Sequence, residues 1–196
     1  MRFKKISILV MAAAFLFPNL AKADDVFLDN NAISEFSDAN SSIVISEYNT
    51  GKIISKRGEN EKVSVNKLPN YLALYLLTDD LKNKKTSLDD KITINKGDDV
   101  LSKYQITKEL TIKDAIFLLE NENSSSLLEA IFTKYNVDVE KANSILGAMS
   151  LNNTKLENLE NSDSNTSSAK DITFLNSVIL KNYPELTEIT KNPEYT

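Results

Sequence analysis

The sequence predicts an α+β fold, an N-terminal β-hairpin packed with a mostly helical region. Three observations predict it. Two β-branched runs flank Asn49-Thr50-Gly51. From residue 64 onward, apolar residues recur at mixed three- and four-residue steps. Two capping patterns, Thr111-x-x-Asp114 and Ser168-x-x-Asp171, open further helices.

The hairpin spans residues 42–55, with Gly51 supplying the positive φ of its turn and Gly58 closing the second strand. Leu68, Tyr71, Leu72, Leu74, Tyr75, Leu76 and Leu77 lie on a mostly buried helix that ends near residues 79–85. A short strand is expected at 92–94, followed by a turn at 95–97. Helices are then predicted over about 115–119, 124–135 and 137–149, with a loop at 120–123. Residues 150–169, rich in Asn, Ser and Thr, form a long connection with one short strand or turn near Thr154. Ile172, Leu175, Val178 and Ile179 carry the apolar stripe of a fifth helix, which ends before Pro184.

The N-terminus is set apart by its pattern. Arg2, Lys4 and Lys5 precede an apolar run over 6–17, and Ala21-Lys22-Ala23 follows. Residues 1–23 therefore read as a secretory signal peptide, 24–40 as a leader or linker, and 41–196 as one domain. The apolar run is too short to span a bilayer comfortably. Removing 1–23 takes away four cations and no acid, so the net charge of −5 becomes −9 over 173 residues. The chain is expected in the periplasm or at the cell surface of a bacterium.

Composition narrows the chemistry. The 196 residues contain no His, no Cys and no Trp. Thiol nucleophiles, disulfides, His-containing triads and Cys/His zinc sites are excluded. The acidic balance argues against nucleic acid as a partner. Adjacent carboxylates at Asp89-Asp90 and Asp98-Asp99 read as solvated turn residues, so no metal site and no cofactor is expected. What remains for a hydrolase is Ser or Thr with Lys, or paired carboxylates. Ser64-Val65-Asn66-Lys67 is a Ser-x-x-Lys, which on a helix would place Lys67 over Ser64. A lysine takes the serine proton only as a neutral amine. By spacing alone, a helix N-cap followed by a surface lysine is the favoured account of the pair. With 20 Ser and 21 Lys, about two such matches arise by chance, and two occur. The other, Ser167/Lys170, reads as a helix start capped by Ser168.

Position separates the two matches. The stretch from Ser42 through the Ile53-Ile54 strand, then Ser64-x-x-Lys67, then Tyr71-Leu72-Ala73-Leu74, resembles the D-alanyl-D-alanine carboxypeptidases, which are penicillin-binding serine peptidases. Residues 87–94, 110–116, 167–172 and 194–196 add further ordered matches. The resemblance covers about residues 41–196. It implies a truncated transpeptidase fold of the penicillin-binding-protein and β-lactamase type, lacking its late strands. It also implies acylation of Ser64 with Lys67 as base, and a peptidoglycan stem peptide or β-lactam as ligand.

Departures from the family pattern are equally specific. Where a Ser-x-Asn belongs stand Asn123-Ser124-Ser125, so Asn123 and Ser125 are the candidate substrate-binding residues by that resemblance. Asn123 cannot relay a proton as a hydroxyl can. Asn66 stands where the family usually has Thr, and Asn158-Leu159 where it has His-Gly-Leu. Gly147 is the last glycine, so no Lys-Thr-Gly follows. Losing one oxyanion donor costs about 10²–10³ in rate. The resemblance therefore implies a weak or inactive enzyme, and the alternatives are a non-catalytic exported binding or structural protein and a truncated gene product. With no later strands to pair with, the 42–55 hairpin is expected to self-associate or to take a partner strand.

Overall fold

The computed structural model describes residues 42–190 except Asn49. The expected signal peptide and leader lie outside the described residues.

The hairpin forms as its turn chemistry dictates. Strand β1 (Ile43–Ser46) pairs antiparallel with β2 (Ile53–Arg57) in the register Ile43↔Arg57, Val44↔Lys56, Ile45↔Ser55, with an irregularity before Ser46↔Ile53. Gly51 sits at φ 70° and donates its N–H to the Glu47 carbonyl at 2.8 Å. The Glu47 carboxylate accepts the Thr50 N–H at 2.6 Å and so pins the turn from inside. Gly58 also adopts positive φ, and a Cβ there would stand 3.0 Å from the Glu61 carboxyl.

Two further two-stranded sheets follow. Strand β3 (Val63–Ser64) pairs with β6 (Thr166–Ser167), and β4 (Lys91–Thr93) pairs with β5 (Glu109–Thr111). Only β4 lies close to a strand expected from the sequence. The others are two or three residues long, too short for alternation to register.

Helix α1 (Leu68–Lys82) is the centre of the molecule. Leu68, Leu72, Ala73, Leu74 and Leu77 are all at most 1% exposed, so apolar side chains leave it in nearly every direction. Such a helix must be wrapped. It packs against α3 (Ile112–Asn121), α4 (Ser125–Lys134) and α6 (Ala169–Asn182). Pro69 is tolerated in its first turn, where the missing N–H has no helical acceptor anyway. Helices α2 (Asp99–Lys103), α5 (Val139–Ala148) and α7 (Leu186–Thr190) complete the shell. The five-residue α2 and α7 were not expected, being too short for a helical period to show.

Both capping patterns form at the expected places. Thr111 accepts the Asp114 N–H at 3.0 Å, and Asp114 reaches back to the Thr111 N–H, a complete capping box. Ser168 likewise accepts the Asp171 N–H at 3.2 Å. The buried Asp171 carboxylate departs from the box, however. It accepts from the Asn153 N–H at 2.8 Å and the Thr154 hydroxyl at 2.9 Å, fastening the 150–167 connection to α6.

Scarcity of glycine leaves a mark on the helix ends. Only four glycines occur in the whole chain. Helices α1, α2, α4 and α5 nevertheless all end in left-handed residues, at Lys84 (φ 55°), Gln105 (57°), Asn136 (49°) and Ser150 (62°). In each, the left-handed residue and its successor donate to carbonyls of the last turn, as Gln105 to Ser102 and Ile106 to Leu101. The residues that follow three of these turns, Ile106, Val137 and Leu151, are buried, so core packing holds the strained positions in place. Gln105 lacks the local side-chain bonding that eases this conformation for Asn. Gln105→Gly should therefore raise unfolding stability by up to about 1 kcal/mol, read as a higher urea midpoint at unchanged slope.

Candidate functional site

Lys67 is the residue that α1 carries outward. It is the N-cap of the helix and is half-buried. Ser64 does not share the helix, contrary to the sequence expectation. It is an exposed residue of β3, with the turn at Asn66-Lys67 intervening before the helix begins. The cause is pairing: β3 is held to β6 by Val63↔Ser167 and Ser64↔Thr166, and the Val65 N–H donates to the Asn165 carbonyl at 2.8 Å. The strand ladder thus takes the backbone groups that a helical first turn would have used.

Three chain segments meet around the pair. The Ser64 hydroxyl donates to the Asp163 carbonyl at 2.8 Å, and the Asn66 amide donates to the Asp163 carboxylate at 3.3 Å. Lys67 Nζ donates to the Glu120 carbonyl at 3.4 Å. Buried Asn70, one turn into α1, donates to the Leu119 carbonyl at 2.6 Å and to the Glu122 carbonyl at 3.3 Å. These carbonyls belong to the end of α3 and its cap, where helical partners run out. Asn161 then closes the circle by donating to Asn123 Oδ1 at 3.2 Å.

The loop that supplies Asp163 and Asn161 is itself fixed by Asn165. This residue is fully buried, accepts the Glu157 N–H at 2.9 Å and donates to the Glu160 carbonyl at 2.9 Å. Sequence reasoning missed Asn70, Asp163 and Asn165. Their signal was weak, since each acts through backbone partners 49 to 99 residues away or within an irregular loop.

The expected substrate-binding residues divide. Asn123 belongs to the converging group through Asn161. Ser125 instead lines an open cleft of about 570 Å³ with Lys96, Glu129, Thr133 and Glu160, whose lining includes neither Ser64 nor Lys67. Ser124 is a helix cap: it accepts the Leu127 N–H at 3.0 Å and donates its hydroxyl to Asp98 at 2.7 Å. That hydroxyl is committed to structure.

Asp98 corrects another expectation. It is not a solvated turn residue. One carboxylate oxygen accepts the Leu101 N–H at 2.9 Å and caps α2, while the other accepts from Ser124 and from the Ser126 N–H at 3.1 Å. One carboxylate thus serves the N-termini of two helices. Asp90 is similarly engaged, accepting from Thr86 and Ser87.

Carboxylates dominate the surroundings of Lys67. Desolvation raises the Glu120 carboxyl above its ordinary pKa although the residue is exposed overall, and Lys67 opposes that shift. Glu122 is held below the ordinary range by hydrogen bonds from Lys103 at 2.6 Å and Tyr104 at 2.7 Å. An anionic peptide terminus approaching Lys67 would also meet these two acids. Among the described residues, no group of three or more His, Cys, Asp or Glu is placed to hold a metal ion.

Comparison with known proteins fixes the class. The sequence model of the D-alanyl-D-alanine carboxypeptidase family, peptidase S11, matches residues 29–196, and the chain belongs to that family. Solved structures agree on the fold. Penicillin-binding protein 6B from Escherichia coli superposes with a TM-score of 0.65 at 19% identity, over 80% of this chain and 54% of that one. A peptidoglycan synthesis regulatory factor from Streptococcus pneumoniae gives 0.66 at 18% identity, over 79% and 54%. Ampicillin-bound penicillin-binding protein D2 from Listeria monocytogenes gives 0.62 at 16% identity, over 79% and 67%. The chain therefore spans between about half and two thirds of the length of these relatives. No curated protein sequence matches it.

Two substitutions test this architecture. Asn70→Ala strips donors from two carbonyls at the end of α3 and should cost about 1–3 kcal/mol in urea unfolding. Asp98 is the second. Burial pushes its pKa up, but the hydrogen bonds from Leu101, Ser124 and Ser126 outweigh it and hold the pKa below the usual value. A depressed folded pKa contributes stability above the unfolded value of about 3.9, and this is lost as pH falls through the folded pKa. Asp98→Ala should cost about 2 kcal/mol at neutral pH. The variant's deficit against the parent should shrink below about pH 4, checked by thermal unfolding across pH.

Proposed function

We propose that this chain is an exported D-alanyl-D-alanine carboxypeptidase relative that recognises stem-peptide-like or β-lactam ligands without turning them over by itself. Ser64 is the acceptor of any acyl group, and Lys67 is its vestigial base. Asn123 flanks the ligand, and Ser125 lines the neighbouring cleft. The observation that carries this reading is the division of the pair. The Ser64 hydroxyl is bound to the Asp163 carbonyl and Lys67 Nζ to the Glu120 carbonyl, with no hydrogen bond between the two residues.

Proton transfer from Ser64 to Lys67 requires a direct contact or one bridging water. Both groups must therefore leave their present partners before attack. The second segment offers little help. Ser124 is occupied as a cap, and Asn123 has no hydroxyl. No Lys-Thr-Gly occurs in the 196 residues to supply a cation for the substrate carboxylate or a second oxyanion donor.

A catalytic reading is favoured by one fact, the convergence of residues 64–67, 119–123 and 161–163 on a single place. One experiment separates the two. The processed chain is incubated with a β-lactam and with a D-alanyl-D-alanine stem-peptide analogue, and adducts and released D-alanine are followed. The expected result is a slow adduct confined to Ser64, lost in Ser64→Ala, with D-alanine release at background. Turnover near the about 1–10 s⁻¹ of an ordinary enzyme, abolished by Ser64→Ala, would establish catalysis instead. An adduct on Ser124, Ser125 or Ser167 would overturn the assignment of Ser64.

A further inference from the structure

We infer that α2 is a splint for Asn123, with Tyr104 as the positioning residue at one end and Asp98 at the other. The inference rests on the reading of Asn123 as a ligand-flanking residue and names what fixes it in place. Both chain neighbours of Asn123 are tied to this one five-residue helix. Before it, the Glu122 carboxylate accepts the Tyr104 hydroxyl at 2.7 Å and Lys103 Nζ at 2.6 Å. After it, the Ser124 hydroxyl donates to the Asp98 carboxylate at 2.7 Å, and the Ser126 N–H donates to the same oxygen at 3.1 Å. Asp98 is the N-cap of α2 and Tyr104 its C-cap, so the two straps leave from opposite ends of a single helix.

The backbone around Asn123 is held as well. Only residues 122–124 separate α3 from α4, and Glu122 and Ser124 are both extended. The Glu122 N–H donates to the Leu118 carbonyl at 2.8 Å, and the Glu122 carbonyl accepts from buried Asn70 at 3.3 Å. Rotating the Glu122–Asn123 peptide plane, which would swing Asn123 away, breaks that bond. Asn123 Oδ1 in turn accepts from Asn161, in the loop whose Asp163 carbonyl accepts from Ser64. What α2 fixes is thereby passed on toward Ser64.

The two donors to Glu122 are not equal. The Lys103 side chain is 62% exposed, and an ion pair so open to water contributes little. Tyr104 is anchored instead. Its ring meets buried Phe117 of α3 edge-on, with centroids 6.3 Å apart. A ring held in this way brings its hydroxyl to Glu122 with little rotational freedom left to lose.

Tyr104→Phe tests this, because it deletes the hydroxyl and keeps the ring on Phe117. Two readouts are taken on the processed chain. One is the rate of β-lactam adduct formation at Ser64. The other is the side-chain amide NMR signal of Asn161, which reports on Asn123 Oδ1 without any reaction. Tyr104→Phe should slow adduct formation about tenfold, within the about 10² that an ångström of misplacement costs. It should also shift the Asn161 signal while leaving the urea midpoint near that of the parent. Glu122→Leu should slow the reaction likewise, and the double variant should be no slower than the slower single one, since both substitutions cut one strap. Lys103→Met should match the parent. An adduct rate equal to the parent's in Tyr104→Phe, or an Asn161 signal that stays in place, overturns the inference. So does a double variant in which the two losses multiply, or a Lys103→Met as slow as Tyr104→Phe. A parent that forms no adduct at Ser64 overturns the reading of Ser64 instead. The Asn161 signal then decides the splint by itself, supporting it if Tyr104→Phe moves the signal and refuting it if not.

Discussion

Burial of α1 is the constraint on which the rest of this structure depends. A helix with Leu68, Leu72, Leu74 and Leu77 all out of water cannot lie on a surface. It must be enclosed, and α3, α4 and α6 enclose it. Its ends must still emerge, and at the N-terminal end the last buried turn delivers Lys67 to the surface with Asn70 just beneath it. The hydrogen bonds of Asn70 to the Leu119 and Glu122 carbonyls then decide which part of the shell faces that lysine. The place where residues 64–67 meet 119–123 is thus a by-product of closing the core.

Polar side chains with more than one partner do the remaining fastening. Asp98 serves the starts of α2 and α4, Asp171 ties the long connection to α6, and Asn165 shapes the loop whose Asp163 carbonyl accepts from Ser64. Each is at least partly removed from water and bonded, as such groups must be. The same economy weakens the case for catalysis. Ser124 is one of these fasteners, and the Ser64 hydroxyl is bonded to a backbone carbonyl that cannot take its proton.

The small sheets mark where the scaffold is thinnest. Among the described residues, three separate pairs of strands, none longer than five residues, contrast with the continuous helical core. The hairpin rests chiefly on α6 through β1.

Much of this was determined by the sequence alone. The hairpin and its glycine, the central helix, the N-capping Thr111 and Ser168, and family membership were legible because each rests on local spacing: a turn residue between β-branched runs, a 3.6-residue period, a cap three residues before the N–H that donates to it. Tertiary structure decided what those rules cannot reach. Ser64 left the helix because β3 pairs with β6, about a hundred residues away in the chain. Ser125 turned into a different cleft from Lys67, and Asp98 became a double cap where the sequence suggested a solvated turn. Long-range strand pairing and buried hydrogen bonds join groups whose separation along the chain carries no period, so their partners are fixed only when the core closes.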